Sequence, residues 1–253
     1  MMREETVFGP IFSRRLGNSL GINLLPTKGK ICNFDCIYCE CGWNADGRDD
    51  KVLPSAARVR HCLEEKLSQL LLDGTKVDSI TFSGDGEPTL NPEFPSIIDD
   101  TLHLRDAFCP GAKVSVLSNA TRVHIPEVLA ALRKVDNPIM KIDAPTDELA
   151  ALINKPAPGY SVRRTVEALK GFGGDFVLQT MFLRSPDFDS SAPEVLGAWM
   201  DLVRELRPRE IMVYTIDRPT PMQGLEAFSE QQMRQLVAPL LDEGFIIQIK
   251  GKK

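Results

Sequence analysis

Asp78-Ser79-Ile80-Thr81-Phe82-Ser83-Gly84-Asp85-Gly86-Glu87-Pro88 passes from an apolar, β-like run into a polar end that carries two glycines. A helical pattern follows from Pro92 to about Asp106, and Lys113–Ser118 is the next β-like run. The same rhythm recurs on both sides of this stretch. Upstream, Leu20–Leu25 is a β-like run ended by Pro26, and a helix is expected from near Pro54 and Ser55 to about Asp73. Val59, Leu63, Leu67, Leu70 and Leu71 repeat there at the helical period. Downstream, helix 126–134 leads to strand 138–143, and helical stretches near 146–153 and 161–171 lead to strand 175–182. A helix over 193–206 then leads to strand 210–215. Ser229 reads as the N-cap of a last helix to Glu243, with Gln232 at the capping-box position, and 245–250 is a possible final strand.

Six β-then-α units in succession imply parallel strands joined by right-handed crossovers. The class is α/β; a doubly wound sheet, a partial barrel and a full barrel all satisfy the order, although an eight-unit barrel needs more units than are counted here. Each option puts ligands at the C-terminal ends of the strands. Polar residues gather there: Ser83–Glu87, Ser118-Asn119, Lys141 with Asp143, Gln179, and Thr215–Arg218. One domain over 1–253 is expected, with 1–19 as an N-terminal extension and 229–253 as a closing helix and possible strand.

Of 253 residues, 43% are hydrophobic and 26% charged, which suits a soluble globular chain and argues against disorder. The net charge of -5 disfavours tight, extended nucleic-acid binding, which needs several Lys or Arg to neutralise phosphates. No apolar run approaches the roughly 20 residues that span a bilayer. The charged start, Met1–Glu5, lacks the apolar stretch of a signal peptide, so a cytoplasmic location is expected.

Six cysteines are present, and Cys32, Cys36, Cys39 and Cys41 crowd together, far from Cys62 and Cys109. A secreted disulfide framework would spread its cysteines; this cluster reads as reduced thiolates that hold a metal. Three thiolates in one loop can hold three irons of a cubane and leave the fourth iron open. A zinc-stabilised binding or regulatory protein, with Cys41 as fourth ligand, is the alternative.

The segment Cys32-Asn33-Phe34-Asp35-Cys36-Ile37-Tyr38-Cys39 resembles the CxxxCxxC motif of the radical S-adenosylmethionine (SAM) superfamily, including the aromatic before the third cysteine. The resemblance runs over nearly the whole chain and implies a partial (β/α)6, TIM-like barrel with the cluster loop after strand one. It implies an oxidoreductase-type enzyme with one [4Fe–4S] cluster on Cys32, Cys36 and Cys39. In that superfamily the open iron binds SAM, and reductive cleavage yields a 5′-deoxyadenosyl radical that abstracts hydrogen from substrate. Asp85-Gly86-Glu87-Pro88 is similar to the family's GGEP element, with Asp in its first position, and its backbone and Glu87 would receive the SAM amino group. Tyr38 would lie beside the adenine, and Ser118, Asn119 and Asp143 would make further SAM contacts; Gln179, a polar residue in an apolar strand, either bonds a neighbour or touches SAM or substrate. Arg14, Arg15, Lys141, Arg184 and Arg218 are candidates to meet an anionic group of the substrate. That substrate is an RNA base, a peptide or a small metabolite, and a reductant such as flavodoxin or ferredoxin is implied.

A narrower likeness lies in Phe8-Gly9-Pro10, Ser13–Gly21 and Ile216-Asp217-Arg218-Pro219, which resemble radical SAM proteins related to wyosine tRNA-base synthases. The bland readings are a packing role for Tyr38, turn glycines at 84 and 86, a capping role for Asn119, an ion pair between Lys141 and Asp143, and surface arginines.

Overall fold

The computed structural model describes residues 5–13, 17–27, 29–46 and 50–252. The chain divides into two compact units: residues 1–32, 44–118 and 125–138 form the first, and 33–43, 119–124 and 139–253 the second.

The first unit opens with an antiparallel pair, β1 (Val7–Ser13) and β2 (Gly17–Ile22), whose register shifts between Phe8 and Ile11. Helix α1 (Ala56–Leu72) follows, then β3 (Ser79–Phe82), α2 (Phe94–Phe108), β4 (Lys113–Ser118) and α3 (Pro126–Leu132). The strands lie in the order β1-β2-β3-β4, with β2, β3 and β4 parallel. Ser55 starts α1 as expected, accepting a bond from the Arg58 amide, and Val59, Leu63, Leu67 and Leu70 form its buried face. All four residues of β3 are buried, as befits a parallel strand covered on both faces. Its hydroxyls stay satisfied: Thr81 Oγ1 lies 2.8 Å from Ser19 Oγ, and Ser79 Oγ donates to the Lys113 carbonyl at 3.0 Å. Phe82 and Phe94 meet edge to face at 6.3 Å.

Strand β5 (Asn137–Lys141) begins at the end of the first unit, and its residues 139–141 belong to the second. The second unit continues with α4 (Asp147–Ile153), α5 (Val162–Leu169) and β6 (Val177–Met181). Then come the short β7 (Leu183–Ser185) and β8 (Phe188–Asp189), followed by α6 (Pro193–Leu206) and β9 (Glu210–Tyr214). The chain closes with β10 (Glu226–Ala227), α7 (Glu230–Leu236), α8 (Ala238–Asp242) and β11 (Ile247–Lys250). Strands β5-β6-β9-β11 are parallel neighbours in that order. A separate small sheet has the order β10-β7-β8. Phe182, just before β7, meets Trp199 and Phe228 edge to face at 5.2 and 6.4 Å, and Trp199 Nε1 donates to Thr180 Oγ1 at 3.1 Å.

Three expectations need correction. The first strand stops at Ile22 instead of running to Leu25, because the Asn23 side chain takes the next amides: its Oδ1 accepts from Leu25 and Asp85, each at 3.1 Å. The expected N-terminal extension over 1–19 contains β1 and the start of β2. The last helix is two helices; Ser229 and Gln232 form the capping box, but Pro239 has no N–H to donate, and the helix breaks at Val237.

Candidate active site

In the first unit the strip after β3 is fixed by the chain's own backbone. Ile31, just before Cys32, forms a parallel bridge with Gly86. Its amide donates to the Asp85 carbonyl at 3.2 Å, and its carbonyl accepts from the Glu87 amide at 3.0 Å. Gly86 has φ +142°, and a Cβ there would stand 1.8 Å from the Ile31 oxygen. A Cβ on Gly84 would stand 2.0 Å from Asn23 Oδ1. Both glycines are therefore required by close approach within the protein itself. Asp85 is buried, and Asn23 Nδ2 reaches its Oδ2 at 3.5 Å, so the residue that departs from the family's glycine stands in a polar pocket. Glu87 is 2% exposed, and its Oε1 accepts from Thr89 N, Thr89 Oγ1 and Ser118 Oγ at 3.1, 2.6 and 2.9 Å. Three donors hold one oxygen of a buried carboxylate, which fixes its plane.

In the second unit the loop after Cys32 is docked on the end of α4. The Asp35 amide donates to the Asn154 carbonyl at 2.9 Å and the Ile37 amide to the Ile153 carbonyl at 3.0 Å, so the helix's orphan carbonyls clamp both neighbours of Cys36. Asn33 Nδ2 donates to Thr121 Oγ1 at 2.6 Å, and Asn119 Nδ2 donates to Asn33 Oδ1 at 2.7 Å. Phe34 packs edge to face on Tyr160 at 5.0 Å.

Beneath this loop lies a buried polar network. Tyr38 Oη donates to Asp143 Oδ2, and Asn154 Nδ2 donates to the same oxygen at 2.7 Å. Asp143 Oδ1 accepts from the Met181 amide at 2.8 Å. Lys141 Nζ donates to the hydroxyls of Tyr38 and Tyr214 at 3.0 and 2.8 Å, and lies 3.9 Å from Asp143 Oδ2. Burial pushes the Tyr38 phenol well up, and the neighbouring Asp143 charge pushes it further. Burial works against the Lys141 charge, yet its pKa rises, because Asp143, Tyr214 and Cys36 all favour the ammonium. The Cys36 thiol is pushed up, chiefly by burial; Lys141 and the Asn154 N–H act in the opposite direction. Tyr38, Lys141 and Asp143 were legible as candidates, whereas Asn154 and Tyr214 were not.

The remaining candidates differ in setting. Gln179 is buried on β6, in register with Lys141 and Met212, and its side-chain amide makes no hydrogen bond among the described residues. Arg184 is held by Asp189 Oδ2 at 3.0 Å and Ser191 Oγ at 3.1 Å, over the Phe228 ring. Arg218 pairs with Glu40 at 2.6 Å on the surface. Arg14 and Arg15 lie outside the described residues. Among the described residues no three His, Cys, Asp or Glu side chains are gathered to grip a metal ion, so the cysteine loop offers donor chemistry rather than a finished cage. No described helix is long and apolar enough to cross a membrane.

Known proteins are similar to this chain in sequence or in fold. A UPF0026 protein of Helicobacter pylori is 27% identical over 96% of this chain and 75% of its own length. A Brachyspira hyodysenteriae protein named GTPase Obg is 28% identical over 92% of this chain, which spans only 33% of that protein. A radical SAM methyltransferase structure from Sphaerobacter thermophilus superposes with a TM-score of 0.70 at 14% identity, covering 96% of this chain and 69% of its own. That likeness carries the fold: α/β, with the mainly parallel strands of a partial TIM-like barrel. Residues 27–190 match the Radical SAM superfamily, a span that includes the three-cysteine motif, the Gly84–Glu87 strip and β3 to β6. The chain belongs to the radical SAM superfamily.

Proposed function

We propose that this protein is a radical SAM enzyme of the group related to wyosine tRNA-base synthases, working on an RNA base, a peptide or a small metabolite. Members of the superfamily use a [4Fe–4S] cluster and SAM. By their match to the family motif, Cys32, Cys36 and Cys39 are the cluster ligands. Gly84, Asp85, Gly86, Glu87, Ser118, Asn119, Asp143, Gln179 and Tyr38 are the SAM contacts by the same reasoning.

The donor chemistry fits. Cys36 Sγ receives an N–H from Asn154 at 3.4 Å and lies near the Lys141 ammonium; both favour the thiolate, against the larger effect of burial, which raises its pKa. The three-cysteine motif within the matched span is the observation that carries the reading. When bound, the cluster and SAM supply a 5′-deoxyadenosyl radical by reductive cleavage, and that radical takes a hydrogen atom from substrate. The chain's own part is placement. The Glu87 carboxylate, fixed by Thr89 and Ser118, accepts N–H donors. Asp143, bonded to Tyr38, Asn154 and the Met181 amide, anchors the second unit's network. Lys141, Arg184 and Arg218 are the candidates to meet an anionic substrate group, which would have to compete with their present partners: Tyr38 and Tyr214, Asp189 and Ser191, and Glu40. A flavodoxin or ferredoxin in the cytoplasm serves as reductant.

The test is anaerobic reconstitution with iron and sulfide, then measurement of 5′-deoxyadenosine after adding SAM and dithionite. Cluster assembly with SAM cleavage, both lost in Cys36→Ala, is the expected result. Stoichiometric zinc on four thiolates, with no cleavage, would sink the reading.

A further inference from the structure

We infer that Asn154 is a positioning residue for the Cys36 sulfur and sets the reduction potential of the group that sulfur holds. The inference rests on the cluster reading above and deepens it. Asn154 caps the C-terminus of α4, its own N–H bonded to the Ala150 carbonyl at 2.8 Å, and it is only 2% exposed. A C-cap residue needs no side-chain amide for that bond, so the Nδ2 group is available for other partners. Its two N–H bonds are shared among three acceptors: Asp143 Oδ2 at 2.7 Å, Tyr38 Oη at 3.2 Å and Cys36 Sγ at 3.4 Å.

Each partner narrows the position of the amide. The Asp143 carboxylate, itself tied to the Met181 amide, orients the amide nitrogen. The Asn154 carbonyl accepts the Asp35 amide, one residue before the ligand, so the same residue grips the loop by its backbone and the sulfur by its side chain. This is the geometry of an outer-shell donor, which orients a ligand and tunes the metal behind it. Hydrogen bonds to ligand sulfurs are among the factors that set iron–sulfur potentials. A donor favours the form with more negative charge on sulfur, which is the reduced cluster. Removing it therefore makes the cluster harder to reduce.

The experiment compares wild type with Asn154→Leu, which keeps the volume and loses the N–H. Both are reconstituted anaerobically, and the cluster is followed by optical and electron paramagnetic resonance titration without SAM or substrate. The expected result is a full complement of iron, with an approximately tenfold lower reduced-to-oxidised ratio at a fixed potential, about 59 mV for one electron. A purely structural cap would change iron content or thermal midpoint and leave the potential alone. Asn154→Gln, which restores an amide donor, should recover part of the shift. An unshifted potential in a fully loaded Asn154→Leu protein overturns the inference and leaves the cluster reading intact. A wild type that takes up no cluster overturns both. If Asn154→Leu does not fold, Asn154→Ser, with a weaker and shorter-reaching donor, gives the same measurement: a lowered potential supports the role and an unchanged one refutes it.

Discussion

Replacing Gly86 by alanine places a methyl group 1.8 Å from the Ile31 carbonyl oxygen, at a residue whose φ is +142°. Ordinary contact begins near 3.4 Å, so the two backbones must part by about 1.6 Å, the difference between those distances. Such a movement breaks the 3.2 Å bond from Ile31 to Asp85 and the 3.0 Å bond from Glu87 to Ile31. Two backbone hydrogen bonds contribute roughly 1 kcal/mol each. A non-glycine residue at positive φ adds about 1–3 kcal/mol of strain. The expected cost is therefore about 3–5 kcal/mol, a large share of the roughly 5–15 kcal/mol that holds a domain folded. Urea unfolding of Gly86→Ala measures the global part. Hydrogen exchange at the Ile31 and Glu87 amides measures the local part, with protection falling at least 100-fold at about 1.4 kcal/mol per tenfold. A variant that unfolds within about 0.5 kcal/mol of wild type, with both amides still protected, refutes the argument that the strip is held by this bridge.

Three further outcomes follow from other parts of the molecule. Asp136 accepts from Arg105, Lys113 and the Val114 amide at 2.9–3.0 Å; these bonds outweigh the effect of burial and hold its carboxyl below the usual range. A depressed folded pKa gives stability that is present above the ordinary carboxylate pKa and is lost as pH falls through the folded value. Asp136→Ala should thus cost about 2 kcal/mol in urea melts at pH 7 and clearly less near pH 3, and equal costs would refute the ionic share. Cys41→Ser should keep full iron content and SAM cleavage by chemical analysis, and loss of either would make Cys41 a ligand. Trp199→Phe loses the bond to Thr180 Oγ1 and part of the buried indole packing, so a drop of more than about 1 kcal/mol in unfolding free energy is expected, and an unchanged value would refute a stabilising role for that side chain.

The strand-and-helix rhythm was readable because it depends on local periodicity. Lys113–Ser118 and Pro193–Leu206 have the expected bounds, and Ser229 caps its helix as its neighbours suggest. What escaped were features decided by partners far along the chain. Asn23 ends β2 through Asp85, 62 residues away, and nothing in Leu20–Leu25 signals that. Asn154 reaches Cys36 across 118 residues, and an asparagine after a helix reads simply as a cap. Strands β7, β8 and β10 are two or three residues long, too short to show alternation. Pro239 is visible in the sequence, and the expected single helix from Ser229 to Glu243 runs through it. In the candidate site, Tyr38 and the pair Lys141–Asp143 were identified; their joining into one network with Tyr214 required the parallel register of β5, β6 and β9.

The amide clamps on either side of Cys36 also govern how this thiol behaves toward reagents. Asp35 and Ile37 are tied to carbonyls at the end of α4, and the sulfur between them is buried and its pKa raised, whereas Cys32, Cys39, Cys41 and Cys62 are each partly exposed. In metal-free protein handled in air, alkylation and oxidation begin at those outer thiols and reach Cys36 last. Among the motif cysteines Cys36 thus ages last, after Cys32 and Cys39, and a preparation that has lost its outer thiols still reports an intact sulfur at position 36.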